Sequence, residues 1–311
     1  MDLKAQISAG GPLLAAAGVL VALAALALGT RMGSEWDDLV FLAINGLAAT
    51  VVLGTGLLAA KGVGRPNGSA TALIVTGLML TLVVLIEAAD ILGASGTEAT
   101  VVVALIFCAI ALYPAAKRSS PVCVLIAAVA FAVAFVAAIE GLVGFDEPST
   151  GYYAALTLGL GFAIGAWTVD ANDRHRSVQL VNAAGLAVLA LVVFLSDGGF
   201  LAAPVLGPLV YGGSMGAGGA GPVGWEIVAL LACAAVVAYA VIRREPGPGY
   251  LGALSLVYFV VLAGAPGENP SIVGWPLVLI ALAAAAVVAA LRTSADTPGP
   301  SPSGAEVEPA A

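Results

Sequence analysis

The sequence predicts an all-α protein, a polytopic bundle of about ten transmembrane helices with both ends of the chain in the cytoplasm. Three observations predict this fold class. They are an apolar composition, a series of apolar segments long enough to cross a bilayer, and basic residues that fall on one side of the resulting topology.

Composition sets the class of protein. Of the 311 residues, 61% are hydrophobic and 10% are charged, whereas soluble domains have about 45–50% apolar and about 25% charged residues. A soluble chain of this composition would expose apolar patches large enough to cause aggregation. The lipid bilayer is therefore the first predicted partner, and the cell membrane is the predicted location.

Apolar segments of the right length recur along the chain. A helix needs about 20 mostly apolar residues to cross about 30 Å of hydrocarbon. The predicted spans are residues 11–29, 39–60, 69–91, 99–116, 121–144, 151–169, 178–196, 224–242, 249–265 and 272–291. Glycine and proline separate most of them, which indicates short loops. We therefore predict a membrane bundle over residues 1–292, without a folded soluble domain.

The basic residues test this topology independently, because cytoplasmic loops are enriched in Lys and Arg. With the N-terminus inside and the spans alternating, all but one of the eleven basic residues face the cytoplasm, and Arg31 faces out. The inward set is Lys4, Lys61, Arg65, Lys117, Arg118, Arg174, Arg176, Arg243, Arg244 and Arg292. A missed or additional span would reverse the later charges, so the pattern favours an even number near ten.

Two segments differ from the rest of the chain. Residues 200–211 are apolar but contain two prolines, which is compatible with an interfacial segment or with a re-entrant segment that lines a cavity. A full additional span there would place Arg243 and Arg244 outside, so we reject it. Residues 293–311 are rich in proline, serine, alanine and acidic residues, which predicts a disordered cytoplasmic tail.

The predicted inner turns recur at a nearly constant spacing. Their first basic residues are Lys4, Lys61, Lys117, Arg174 and Arg243, so the chain divides into five helical hairpins with one insertion. Internal repeats are common in transporters. Any pair of spans with short loops gives a similar spacing, so duplication and simple geometry both stay open.

A few polar residues lie inside predicted spans, where they are functional candidates. Glu87, Asp90 and Glu140 lie towards the outer ends and form a candidate outer vestibule for a cation or a proton-linked solute. The alternative is that these carboxylates reach the headgroups and stay solvated. Asn45 and Asn182 are candidates for interhelical hydrogen bonds or for solute binding. Asn45 lies in the outer part of its span and Asn182 in the inner part, so we expect separate places.

The sequence argues against several classes of function. A formal net charge of −8 disfavours nucleic acid as a partner. The three cysteines lack a C-x-x-C pattern and His175 is the single histidine, so we predict no metal site. We also predict no cofactor and no catalytic residue, because no nucleotide-binding or cofactor motif occurs. The oligomeric state is left open.

These observations favour a transporter or permease-like protein for a small solute of unknown identity. A non-catalytic membrane scaffold or sensor is the alternative, and a wet midplane cavity would distinguish the two. A third hypothesis is an enzyme. The segment Glu35-Trp36-Asp37-Asp38 resembles the acidic first outer loop of polytopic glycosyltransferases that use lipid-linked sugars. That resemblance implies an acidic residue acting as a base or metal ligand, although the longer loop and larger chain of those enzymes are absent.

Overall fold

The computed structural model describes residues 11–32, 37–58, 68–118, 120–144, 148–195 and 223–263, and these form nine helices without a strand. The helices are α1 (Gly11–Met32), α2 (Asp38–Leu58), α3 (Gly68–Ile91), α4 (Thr97–Arg118), α5 (Pro121–Val143), α6 (Pro148–Asp170), α7 (Arg174–Leu195), α8 (Val223–Arg243) and α9 (Pro246–Ala263). They coincide in order with the first nine predicted spans. The predicted tenth span at 272–291, the segment 200–211 and the predicted tail at 293–311 lie outside the described residues.

Length and hydropathy identify a helical membrane protein. Helices α2 to α8 are each long and apolar enough to cross a bilayer, with mean hydropathies between 1.3 and 3.0. They also expose many large apolar side chains, such as Leu47, Leu160 and Leu231, which lipid can cover. The chain is thus compatible with a multi-pass membrane protein. The count of ten spans, the five repeats and the choice of the cell membrane stay predictions.

Consecutive helices form antiparallel pairs. The most extensive helix contacts join α2 to α3, α4 to α5 and α6 to α7, and each of these pairs is connected by a predicted inner turn. The chain also divides into two compact units, residues 1–256 and 257–311. Of the second unit, residues 257–263 are described, and they are helical.

Helix α3 contributes to two apolar clusters. Leu73 and Leu80 pack with residues of α1 and α2, whereas Ile74 and Leu78 pack with residues of α4 and α5. The partners on the other helices are mostly alanines: Ala22, Ala25, Ala48 and Ala49 in the first cluster, and Ala111, Ala115, Ala127 and Ala130 in the second. Small side chains let neighbouring helices approach closely, which is how helices associate in lipid.

Two glycines bring the backbones of α2 and α3 into contact. A Cβ atom at Gly77 would lie 2.7 Å from the Cα and N atoms of Leu53. One at Gly56 would lie 2.9 Å from the backbone N of Ile74. Only glycine fits such an approach. Helices α2 and α3 therefore lie so close together that side chains facing each other can form hydrogen bonds.

Contacts at the helix ends establish which turns lie together. Arg243 Nη2 is 2.6 Å from Asp170 Oδ2, and Arg174 Nη2 is 2.9 Å from Glu245 Oε1. Arg176 Nη2 also donates to the Ala115 carbonyl at the end of α4, at 3.2 Å. The α6–α7 turn, the α8–α9 turn and the end of α4 therefore share one end of the bundle, as the predicted topology requires.

The opposite end holds the other set of helix termini. Gly151 in the first turn of α6 lies against the ring of Phe194 near the end of α7. The Tyr153 and Trp225 rings, at the starts of α6 and α8, are 4.9 Å apart at an interplanar angle of 83°. Helix α7 therefore ends at the same end of the bundle at which α8 begins.

Candidate functional site

Asn45 and Glu87 meet between α2 and α3. Asn45 Nδ2 donates a hydrogen bond of 2.8 Å to Glu87 Oε1. The Asn45 residue is 2% exposed and Glu87 is half-buried. Asn45 lies seven residues after the start of α2, and Glu87 lies four residues before the end of α3. At about 1.5 Å per residue, the Asn45–Glu87 pair lies one to two helical turns inside the bundle.

This hydrogen bond leaves two buried oxygen atoms without a partner. Asn45 Oδ1 and Glu87 Oε2 are both buried and make no hydrogen bond within the described part of the chain. An amide oxygen and a carboxylate oxygen are both acceptors. A buried polar group without a partner costs about 1–3 kcal/mol, so a donor or a cation at these two oxygens would stabilise the pair.

The charges near this pair are negative. Asp38, in the first turn of α2, lies close enough for its charge to act on Glu87. Asp90 follows Glu87 by three residues and is exposed. Three ion pairs, Arg174–Glu245, Arg176–Asp173 and Arg243–Asp170, lie at the other end of the bundle. Asp38, Glu87 and Asp90 therefore have no salt-bridge partner among the residues whose side chains are described.

The contacts described above bring together only some of the residues of the predicted outer vestibule. Glu87 lies with Asn45, and Asp90 is one turn further along α3. Glu140 is half-buried near the end of α5, and no hydrogen bond in the described ranges joins it to Glu87 or Asp90. A vestibule that includes all three carboxylates therefore stays a prediction.

Asn182 lies at the other end of the bundle. Its Nδ2 donates to Gln179 Oε1 within α7 at 3.1 Å, so the hydrogen bond is not interhelical. Its Oδ1 is buried and unpaired among the described residues, and it lies beside Gly247 in the first turn of α9, where a Cβ would come within 3.0 Å. Asn45 and Asn182 thus occupy separate places.

The Asn45–Glu87 contact was missed by sequence reasoning, although a signal for it existed. Asn45 and Glu87 are equally far in sequence from Pro66, which lies in the predicted turn between α2 and α3. In an antiparallel hairpin, residues equally far from the turn lie at the same depth. A search for polar residues that face each other in this way would have found the pair.

A groove of about 410 Å³ lies between α2, α3 and α4, and neither Asn45 nor Glu87 lines it. Its polar atoms include the hydroxyls of Thr50 and Thr81. Thr50 Oγ1 donates to the Gly46 carbonyl at 2.7 Å, and Thr81 Oγ1 donates to the Gly77 carbonyl at 2.8 Å. These hydroxyls are satisfied by their own helices. The groove is apolar, unlike the wet midplane cavity that would mark a transport path.

The acidic segment compared with glycosyltransferases lies partly outside the described residues, because Glu35 and Trp36 are not among them. Asp37 Oδ1 accepts a hydrogen bond of 3.4 Å from the Leu39 backbone N–H, and Asp38 lies in the first turn of α2. Acidic residues stabilise a helix N-terminus. The described half of this segment therefore begins α2. Among the described residues, no three His, Cys, Asp or Glu side chains form a metal-binding group.

Comparison with protein-family models, curated proteins and solved structures finds no match. Any function must therefore be argued from the side chains of this chain. Among the described residues, the Asn45–Glu87 pair combines a position inside the bundle, an ionisable group and buried atoms without a partner.

Proposed function

We propose that the protein is a transporter or permease-like protein for a small solute, and that the Asn45–Glu87 pair lies on the path of the solute or of a coupled ion. The supporting observation is the buried amide–carboxyl contact between two apolar helices that retains an unpaired oxygen on each side. An ionisable residue within a membrane helix is costly and is ordinarily present for function.

Energies argue against a purely structural role for this contact. An interhelical hydrogen bond in a membrane contributes roughly 0.6–2 kcal/mol. Each buried oxygen left unpaired costs about 1–3 kcal/mol, and the pair has two of them. Over most of these ranges the cost exceeds the gain, which favours a binding role over a purely structural one. A site that binds a transient donor or cation accounts for the unpaired atoms.

Uptake measurements test this function. Metabolite uptake by wild-type and deletion cells first identifies a solute whose uptake depends on the protein. Glu87→Gln should then lower that uptake about tenfold to a hundredfold, because a hydrogen bond to a charged group contributes about 1.5–3 kcal/mol and 1.4 kcal/mol is a factor of ten. Glu98→Gln is the matched control, since Glu98 is an exposed carboxylate at the same end.

The outcomes separate three possibilities. Loss of uptake in Glu87→Gln alone supports the Asn45–Glu87 pair as the site. Loss in both Glu87→Gln and Glu140→Gln supports the wider outer vestibule. Deletion cells that take up every tested solute as wild-type cells do would contradict transport and favour the scaffold or sensor.

A further inference from the structure

The side chains of the Asn45–Glu87 pair contain one hydrogen-bond donor group and three oxygen atoms. The side-chain amide N–H of Asn45 donates a hydrogen bond to Glu87 Oε1. The remaining two oxygens, Asn45 Oδ1 and Glu87 Oε2, are buried and unpaired within the described residues. Because both are acceptors when Glu87 is ionised, they cannot satisfy each other. A single donor hydrogen between them would satisfy both.

A proton on Glu87 is the smallest group that supplies this hydrogen. A protonated carboxyl becomes a donor, and a carboxylic acid and a primary amide then form a cyclic pair with two hydrogen bonds. A buried water needs about 2–4 polar partners. A hard cation such as Ca²⁺ takes about 6–8 oxygen ligands, and no group of three metal-binding side chains occurs among the described residues.

The charged residues on the helices around Glu87 are few. Helix α3 packs against α1, α2, α4 and α5. Their ionisable groups nearest this end are Arg31 on α1, Asp38 on α2, Asp90 on α3 itself, Glu98 on α4 and Glu140 on α5. The side chain of Arg31 lies outside the described ones. The other titratable groups of α4 and α5, namely Cys108, Tyr113, Lys117, Arg118 and Cys123, lie at the helix midpoint or towards the opposite end.

We propose that the Asn45–Glu87 pair is a proton-binding site that couples movement of the solute to protons, a proposal that rests on the transport function proposed above. Water on the outer side supplies the proton, which forms an O–H bond at Glu87 Oε2 and donates to Asn45 Oδ1. Release breaks that O–H bond and returns the proton to water, and no other covalent bond changes. Asn45 positions the carboxyl in both states.

Infrared difference spectra between low and high pH test the site in protein reconstituted into lipid vesicles. Besides the bands of the exposed carboxyls, which appear in every variant, the wild-type spectrum should show a carbonyl stretch from protonated Glu87. That band should be absent in Glu87→Gln and retained in Glu98→Gln. In Asn45→Leu it should move to higher frequency, because the carboxyl loses its hydrogen-bond partner. A carboxyl band in Glu87→Gln identical to that of the wild type would overturn the proposal.

Chemical labelling gives a second measurement that requires no variant at the pair. A lipid-soluble carbodiimide reacts with protonated carboxyls inside a membrane, and mass spectrometry locates the modified residue. Labelling of Glu87 in the wild-type protein should fall about tenfold for each pH unit above its midpoint, as the protonated fraction of a single group does. Absence of labelling at every pH, or labelling that does not change with pH, would overturn the proton site.

The spectra test the proton site and the uptake assay tests the transport function, so either proposal can be contradicted without the other. Uptake that is lost in Glu87→Gln without a Glu87 carboxyl band in the wild type would overturn the proton site and leave transport in place. A carboxyl band that depends on Glu87, with uptake unchanged in Glu87→Gln, would support the proton site and overturn the transport function.

Discussion

At Gly77 the backbone of α3 closely approaches that of α2, and Gly77→Ala tests whether this approach holds the Asn45–Glu87 pair together. The added Cβ would lie 2.7 Å from the Cα, N and Cβ atoms of Leu53. Two of these are backbone atoms that cannot rotate away. Helices α2 and α3 would have to separate by several tenths of an ångström to relieve the contact.

The expected cost follows from this geometry. Overpacking a well-packed interface typically costs about 1–3 kcal/mol. Separation of the helices also weakens the 2.8 Å hydrogen bond between Asn45 and Glu87, which at its usual strength in membranes contributes roughly 0.6–2 kcal/mol. We therefore expect Gly77→Ala to lower the free energy of unfolding by about 1–3 kcal/mol, and by more where that hydrogen bond is lost as well.

Denaturant titration of the purified protein in detergent micelles measures this difference. Gly161→Ala is the matched control, because no atom lies within 4 Å of a Cβ added at Gly161. That variant should leave the stability unchanged or raise it by about 0.5–1 kcal/mol, because alanine favours a helix over glycine. Wild-type stability in Gly77→Ala, or an equal loss in the two variants, would refute the close approach of α2 and α3.

Two further predictions concern topology and the charged end of the bundle. In intact cells, an impermeant thiol reagent should label Ser95→Cys and leave Asn172→Cys unlabelled. Both positions are exposed, but Ser95 lies at the predicted outer end of the bundle and Asn172 at the predicted inner end. Labelling of Asn172→Cys alone would show that the orientation is the opposite one. Arg243→Gln should destabilise the protein by no more than about 1 kcal/mol, because its ion pair with Asp170 is solvent-exposed and such pairs contribute little. A decrease of several kcal/mol in the free energy of unfolding, measured by denaturant titration, would show that this ion pair strongly stabilises the contact between its helices.

Helix positions were predictable from the sequence because hydropathy is a local property. The span predicted at 121–144 is the helix Pro121–Val143, and proline at the first helical position marks its start. Helix α7 begins at Arg174, earlier than the predicted 178. Its first turn is polar and so escapes a hydropathy search. Asp173 Oδ1 accepts a hydrogen bond from the Arg176 N–H at 3.2 Å, which is the N-cap signal that marks the true start.

Helix packing was much less predictable. Gly161 and Gly165 form a G-x-x-x-G pattern that is typical of close helix contacts. Gly161 has no neighbour within 4 Å of an added Cβ, and Gly165 has only a Leu180 side-chain atom at 3.7 Å. Close contacts occur instead at other glycines, among them Gly56, Gly77 and Gly252. In a chain with 39 glycines, such patterns occur on lipid-facing and protein-facing surfaces alike, and the sequence does not show which face packs.

The candidate site was also hard to predict, because it depends on which helix faces pack together. Glu87 was identified from its position in an apolar segment, and Asn45 was identified as a polar residue within a span. Their contact depends on the register of the α2–α3 hairpin, which Gly56 and Gly77 set through backbone packing. The register between two helices is a tertiary property. The position of the turn suggests which residues of α2 and α3 lie side by side, but hydropathy does not determine it.

Chemical cross-linking in native membranes tests most directly whether Asn45 and Glu87 share one site. Asn45→Cys and Glu87→Cys are introduced together after replacement of the three native cysteines by alanine, and a short bifunctional thiol reagent is added before mass spectrometry. The hydrogen bond of 2.8 Å between the native side chains predicts a cross-linked pair of peptides. The control, Asn45→Cys with Glu140→Cys, should give none. Cross-linking in the control but not between positions 45 and 87 would contradict the shared site.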